Sequence, residues 1–187
     1  MSYITKQAIK TSLEKMLLVK PVHKITVTDI TNDCYISRMT FYYHFRDIYD
    51  LIIWTWAEEF ETALNENKTY ETWQQGFLEI FRAIASNRPY VENVYKSIGR
   101  ERIENYLYTV TYGLLMSVIE SQAFEMAVSI EDKKFIADFY KFAFVGIVLD
   151  WVQNRMVEDP EQIIIKINIL IEGSIIKYLD ACRNDKE

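Results

Sequence analysis

The chain has 187 residues and a mass of 22.2 kDa, and half of it is apolar, enough to bury a core of its own. Only five glycines and three prolines stand among 26% charged residues, which excludes collagen-like, low-complexity and disordered classes. The net charge of −6 argues against a nucleic-acid partner as a mean. Yet residues 1–47 carry seven Lys/Arg against four Asp/Glu, a net of +3, which leaves 14 against 23, or −9, for residues 48–187.

The first predicted helix runs from about Thr5 to Val19, with Ala8, Ile9, Leu13, Met16 and Leu17 at three- and four-residue intervals, and Lys20-Pro21 ends it. Thr26 followed by Asp29 is a capping-box signal for a short helix beginning near Val27, with Val27, Ile30 and Cys34 on its buried side. After the tight connection Tyr35-Ile36, Ser37 is a natural N-cap for a second short helix through His44. A longer amphipathic helix follows from Asp47 through Ile48, Leu51, Ile52, Thr55, Glu59, Phe60 and Ala63, and Asn65 to Thr69 breaks it.

Beyond that break the helical pattern continues over about 70–86, 90–98, 100–127, 131–155 and 160–183, with Pro160 suited to a first helical turn. No alternating strand pattern and no internal repeat occurs, so the fold class is all-α. In the last helix Ile163, Ile164, Ile165, Ile167, Ile169, Leu170, Ile171, Ile175, Ile176 and Leu179 leave almost no polar side. A helix apolar all round is buried all round. Either it is the core helix of a monomer, or a second copy covers it in a two-fold four-helix interface with Phe135, Phe139, Phe142, Ala143, Gly146, Ile147 and Trp151.

The two short helices have the layout of a helix-turn-helix. A recognition helix needs polar, basic or small side chains on its first turn and apolar groups behind it. Ser37, Arg38 and Thr40 meet the first need, and Phe41 and Phe45 the second. Tyr42, Tyr43 and His44 on the flank, and Thr26 and Thr28 at the start of the preceding helix, can contact phosphates. The composition alone fits equally an aromatic patch packed on the rest of the protein.

The string ITVTDITNDCYISRMTFYYHFRDIYDLI, residues 25–52, closely resembles the helix-turn-helix of TetR/AcrR-family transcriptional regulators. The matching positions are Thr26-Val27, Asp29-Ile30, Ile36-Ser37, Thr40-Phe41-Tyr42, His44-Phe45 and Leu51. The resemblance implies a DNA-binding head over residues 1–48 and a regulatory and dimerisation body over 49–187. It implies a homodimer on a near-palindromic double-stranded DNA operator, acting as a repressor that an effector in the body switches. Base-facing roles then fall to Ser37, Arg38, Met39 and Thr40, and phosphate roles to Thr26, Thr28, Tyr42, Tyr43 and His44, with Arg38 suited to guanine. The body is also similar to a subset of the family, regulators of dihydroxyacetone kinase operons. That similarity implies the alternative of an activator controlled by a protein partner.

Three residues depart from the family pattern. Tyr35 and Met39 stand where glycine is frequent, and Ile48 where a lysine commonly holds a phosphate. Tyr35 in a left-handed turn is strained unless it packs, Met39 offers an apolar tip to a thymine methyl, and Ile48 removes one charge contact per half-site.

The aromatics of the acidic half are either core or the wall of an effector cavity, for which Phe77, Phe81, Tyr95, Tyr112, Met116 and Phe139 are the candidates. The cluster Glu58, Glu59 and Glu61 suits a cationic ligand or a solvated face. Catalysis has no constellation to support it: His23 and His44 are the only histidines, and no phosphate loop, H-E-x-x-H or serine elbow occurs. The expectation is therefore no enzyme, no cofactor and no metal. Cys34 and Cys182 have no C-x-x-C neighbour, and the longest apolar run, Phe142 to Leu149, falls short of the roughly 20 residues of a membrane span. With no leader pattern at the N-terminus, a cytoplasmic protein without membrane contact is expected.

Overall fold

The computed structural model describes residues 2–65 and 72–183, without the side chains of Ser2 and residues 59–65. Among the described residues every regular element is helical: α1 (Ser2–Leu17), a single 3-10 turn at Val22–Lys24, α2 (Val27–Asp33), α3 (Arg38–His44), α4 (Ile48–Asn65), α5 (Trp73–Ser86), α6 (Arg88–Ile98), α7 (Arg100–Gln122), α8 (Ile130–Gln153), α9 (Pro160–Ile171) and α10 (Ser174–Ala181). None is long and apolar enough to cross a membrane. The expected side chains Glu59, Phe60, Glu61 and Ala63, the break after Asn65 and the start near Tyr70 lie outside the described residues.

The chain divides into two compact units. The first takes Met1–Phe60 with Ser86–Ile103, the second Glu61–Ala85 with Glu104–Glu187. Packing therefore does not follow a single cut at residue 48, because α4 and α6 pack with the N-terminal helices.

In the first unit Ile9, Leu13, Leu17, Ile25, Ile30, Phe41, Phe45, Leu51 and Ile52 form the core. Both short helices start where the sequence places them. Thr26 Oγ1 accepts from Asp29 N at 3.1 Å while Thr26 N donates to Asp29 Oδ2 at 2.8 Å, which is a complete capping box. Ser37 Oγ accepts from Thr40 N at 3.0 Å. Between them Tyr35 takes φ 54°.

The second unit is centred on stacked aromatics. Phe77 of α5 lies flat on Phe144 of α8 at 4.0 Å, Trp73 meets both edge-on, and Phe81 packs against Trp151 at 4.9 Å. Trp151 Nε1 donates to Glu158 O at 2.8 Å, which ties the end of α8 to the start of α9. Arg82 reaches from α5 to Glu161 of α9 at 2.5 Å and to Glu79 at 3.0 Å.

Several boundaries differ from the sequence reading. α1 spans Ser2–Leu17, α7 ends at Gln122, and α6 begins at Arg88 with Pro89 in its first turn, where its missing N–H is harmless. The last helix is interrupted at Glu172, and Gly173 takes φ 70° before α10 begins. The hydrophobic period runs through this break, so periodicity alone joins the two pieces. In the isolated chain Ile163, Ile164, Ile167 and Ile171 are buried, whereas Ile165, Ile169 and Leu170 are exposed by 51%, 68% and 78%.

Candidate nucleic-acid interface

Helices α2 and α3 are amphipathic in the sense a groove-binding unit requires. Phe41 is fully buried and Phe45 nearly so, with their rings 5.9 Å apart, and they fix α3 from behind. Lys6 of α1 lies over the rings of Phe45 and Trp54 at 5.7 and 5.1 Å, a cation–π contact that ties α1 to the same anchor. The opposite face presents Ser37, Arg38, Met39, Tyr42 and Tyr43, all exposed, with Thr40 and His44 half-buried. Thr26 and Thr28 are exposed at the start of α2. All nine residues expected at DNA lie on α2, α3 or their caps.

Their chemistry is not uniform. Ser37 and Thr40 spend their hydroxyls on the cap and on each other, with 2.9 Å between the oxygens. Arg38 lies back along α3, with Nη2 at 3.4 Å from Tyr42 Oη and the guanidinium 5.9 Å from that ring's centre. Tyr42 meets Phe41 edge-on at 5.6 Å, and Tyr43 meets His44 edge-on at 5.0 Å. Met39 is 82% exposed. Tyr35 is 96% exposed in its left-handed turn, so a strain of about 1–2 kcal/mol has no packing to offset it.

Two polar knots hold the α2 side. Lys20 Nζ donates to Asp29 Oδ2 at 3.2 Å, and the bonds from Thr26, with that from Lys20, hold the Asp29 carboxyl below the ordinary carboxylate range. Behind it, Asn93 of α6 donates through Nδ2 to Leu17 O at 2.8 Å and Lys20 O at 2.9 Å, and its Oδ1 accepts from Val22 N at 3.3 Å. One side chain thereby satisfies carbonyls at and beyond the end of α1.

The sequence reading missed three residues here. Arg46, between α3 and α4, has 88% of its side chain exposed and pairs with Asp50 at 3.4 Å, while Ile48 two positions on is half-buried. Tyr35 was read for its backbone and not as a surface feature. Asn93 acts over more than 70 positions, which no local pattern signals.

In the second unit the exposed apolar groups gather on α8 and α9. Phe135, Phe139 and Phe142 are 59%, 62% and 56% exposed along one side of α8. A groove of about 740 Å³ runs between the two helices, lined by Phe142, Gly146, Ile147, Ile163, Ile167 and Leu170 among others. A smaller hollow of about 190 Å³ lies between Phe135, Phe139, Tyr140 and Tyr178.

Of the six residues named for an effector cavity, Phe77 and Phe81 are spent on the aromatic core. Tyr95 is half-buried in the first unit, whereas Tyr112 and Met116 are half-buried on α7 in the second. Phe139 lines the smaller hollow. The ring of Tyr112 is already engaged, since Lys141 Nζ lies 5.3 Å from it, 5.6 Å from Tyr108 and 4.7 Å from Phe142, with Asp138 at 2.6 Å. Cys34 donates to Ala8 O at 3.4 Å, and burial pushes its thiol up, away from reactivity. Among the described residues no three His, Cys, Asp or Glu side chains gather as a metal would need.

Comparison with known proteins bears on both units. A TetR family model described as "Transcriptional regulator C-terminal region" matches residues 71–173, more than half of the chain. The chain is 26% identical over 121 residues to the "HTH-type dhaKLM operon transcriptional activator DhaS" of Lactococcus lactis, covering 65% of this chain and 64% of that protein's length. Among solved structures it is similar to "Dihydroxyacetone kinase operon activator DhaS", with a TM-score of 0.70 and 22% identity over 98% of this chain and all of that one. It is also similar to NalD, the secondary repressor of the MexAB-OprM multidrug efflux pump in Pseudomonas aeruginosa, with a TM-score of 0.55 and 15% identity over 99% of this chain and all of that one. At these identities the structural likenesses speak for the fold alone. Regulators of this family bind DNA and act as dimers. By the match over residues 71–173, the chain belongs to the TetR family of transcriptional regulators.

Proposed function

We propose that the chain is a homodimeric, sequence-specific transcriptional regulator. Residues 1–48 read a near-palindromic operator, and residues 49–187 carry dimerisation and the response to an effector. The observation that carries this reading is the two-sided α3, with buried Phe41 and Phe45 behind and exposed Arg38, Met39, Tyr42 and Tyr43 in front. Arg38 is the guanine reader once it leaves Tyr42, and Thr26, Thr28, Tyr42, Tyr43 and His44 hold phosphates. Arg46 joins them as the cation that Ile48 does not supply.

The dimer forms through α8 and α9. Phe139, Phe142, Ile165, Ile169 and Leu170 leave an apolar face that a second copy covers, and Gly146 gives close approach, with nothing within 4 Å of where its Cβ would stand. Two copies bring two α3 helices, one for each half-site, about one helical turn apart. With Phe77 and Phe81 committed to the core, effector contact falls to half-buried Tyr112 and Met116 and to exposed Phe139.

Activation by way of a protein effector, in place of repression by a small molecule, is the second reading. Its activating sense is favoured by the curated relative, which is named as an activator of the dhaKLM operon.

The test is fluorescence anisotropy on the DNA upstream of the protein's own gene against scrambled DNA, from about 50 to about 300 mM salt. A preference of about 10³-fold or more is expected. Arg38→Ala should lose about 1–3 kcal/mol of that preference and remain a dimer, whereas Phe139→Glu should sediment as a monomer. Equal affinity of the wild type for both DNAs, or of Arg38→Ala and wild type for the operator, overturns the reading.

A further inference from the structure

We propose that Met39 is a specificity-determining residue that reads a thymine methyl group in each operator half-site. The inference rests on the DNA-binding reading above and names what that interface selects. Four side chains stand at the first turn of α3, and three of them are accounted for. Ser37 and Thr40 are bound to each other at 2.9 Å, and Ser37 also caps the helix. Arg38 has the only charge among the four and can serve the hydrogen-bonding edge of guanine. Met39 is left, a long apolar side chain that is 82% exposed.

Base edges in the major groove offer donors, acceptors and one apolar feature, the C5 methyl of thymine. An apolar side chain aimed at those edges therefore has one match, and against adenine, guanine or cytosine it leaves polar groups without water or partner. The thioether suits the task because its unbranched chain follows the methyl's position without a fixed rotamer. Tyr35, 96% exposed on the connection just before Ser37, is a second large side chain held out at a backbone angle that favours glycine.

The experiment begins with duplexes selected from a random-sequence library by the full-length protein. In the tightest duplex each thymine is then replaced in turn by deoxyuridine, which lacks only the methyl group. Wild-type protein should bind about fourfold more weakly when one particular thymine is replaced in a single half-site, and about 16-fold more weakly when its counterparts in both half-sites are. Met39→Ala should bind the thymine and deoxyuridine duplexes alike. Arg38→Ala should weaken both and keep their ratio, and the Met39 change should leave the melting temperature in place because the side chain is exposed.

Indifference of the wild type to deoxyuridine at every thymine overturns the proposal, as does a thymine preference that survives in Met39→Ala. Either result leaves the regulator reading intact. A selection that enriches no sequence overturns both.

Discussion

Helices α2 and α3 have seven residues each, whereas α5 and α8 have 14 and 24, and the two pairs are held in different ways. A seven-residue helix is too short to persist in water, where isolated helices below about 12–15 residues are marginal. The recognition unit therefore relies on polar groups placed at helix ends: the Thr26–Asp29 box, the Ser37 cap, Lys20 on Asp29, and Asn93 on the end of α1. The long helices rely on area. Phe77, Phe144, Trp73, Phe81 and Trp151 form a stacked interior, and ion pairs such as Arg82–Glu161 lie on its outside. The face proposed to meet DNA stays bare, so its order comes from the ends of its helices and from behind. The α8 side has no such restriction, since in the dimer proposed above a second copy covers its bare aromatics.

Phe77→Ala should break the contrast most strongly. It removes a ring that is 2% exposed and stacked at 4.0 Å, and a loss of about 3–5 kcal/mol is expected from the denaturant midpoint. Asn93→Ala comes next. Two carbonyls and one amide lose their partner, and about 1–3 kcal/mol should be lost, with faster hydrogen exchange confined to the segment around Val22. If the Asn93 change spread its exchange over the aromatic core, the two units would not differ as described.

The smallest effect lies with Glu161. Hydrogen bonding with Asp159 and then with Arg82 holds its carboxyl down to about 2 from an ordinary 4.5. A group whose folded value is depressed contributes stability above its unfolded value, and the contribution disappears as pH falls through the folded value. The Arg82–Glu161 link should thus be complete above about pH 4.5 and gone near pH 2. Asp159, raised by the same bond with Glu161, works in the opposite sense: its contribution is present at low pH and fades as pH rises. Melting temperatures of wild type and Glu161→Gln should converge between pH 4.5 and 2; a constant gap would locate the stability elsewhere.

The sequence made the capped ends legible because a cap is a local device. Thr26 and Asp29, or Ser37 and Thr40, stand three apart whatever the rest of the chain does. The left-handed turn at Tyr35 was legible only through the family resemblance, in which a glycine is frequent at that position. The aromatic stack was legible only as composition: nothing in the spacing of Phe77 and Phe81 separates a cavity wall from a core, and Phe144, 67 positions away, decides it. The kink at Gly173 escaped because isoleucines flank it on both sides and the period carries across. Asn93 escaped because a mid-helix asparagine carries no signal of a distant partner.

That asparagine also orders events in time. Its compact unit is discontinuous in sequence, so α1 emerges from the ribosome long before the side chain that satisfies the carbonyls of Leu17 and Lys20. At roughly 5–20 residues per second, the 73 residues from Lys20 to Asn93 take about 4–15 seconds to synthesise. Over that interval water must serve those carbonyls, and the unit that carries α2 and α3 is made early but completed late.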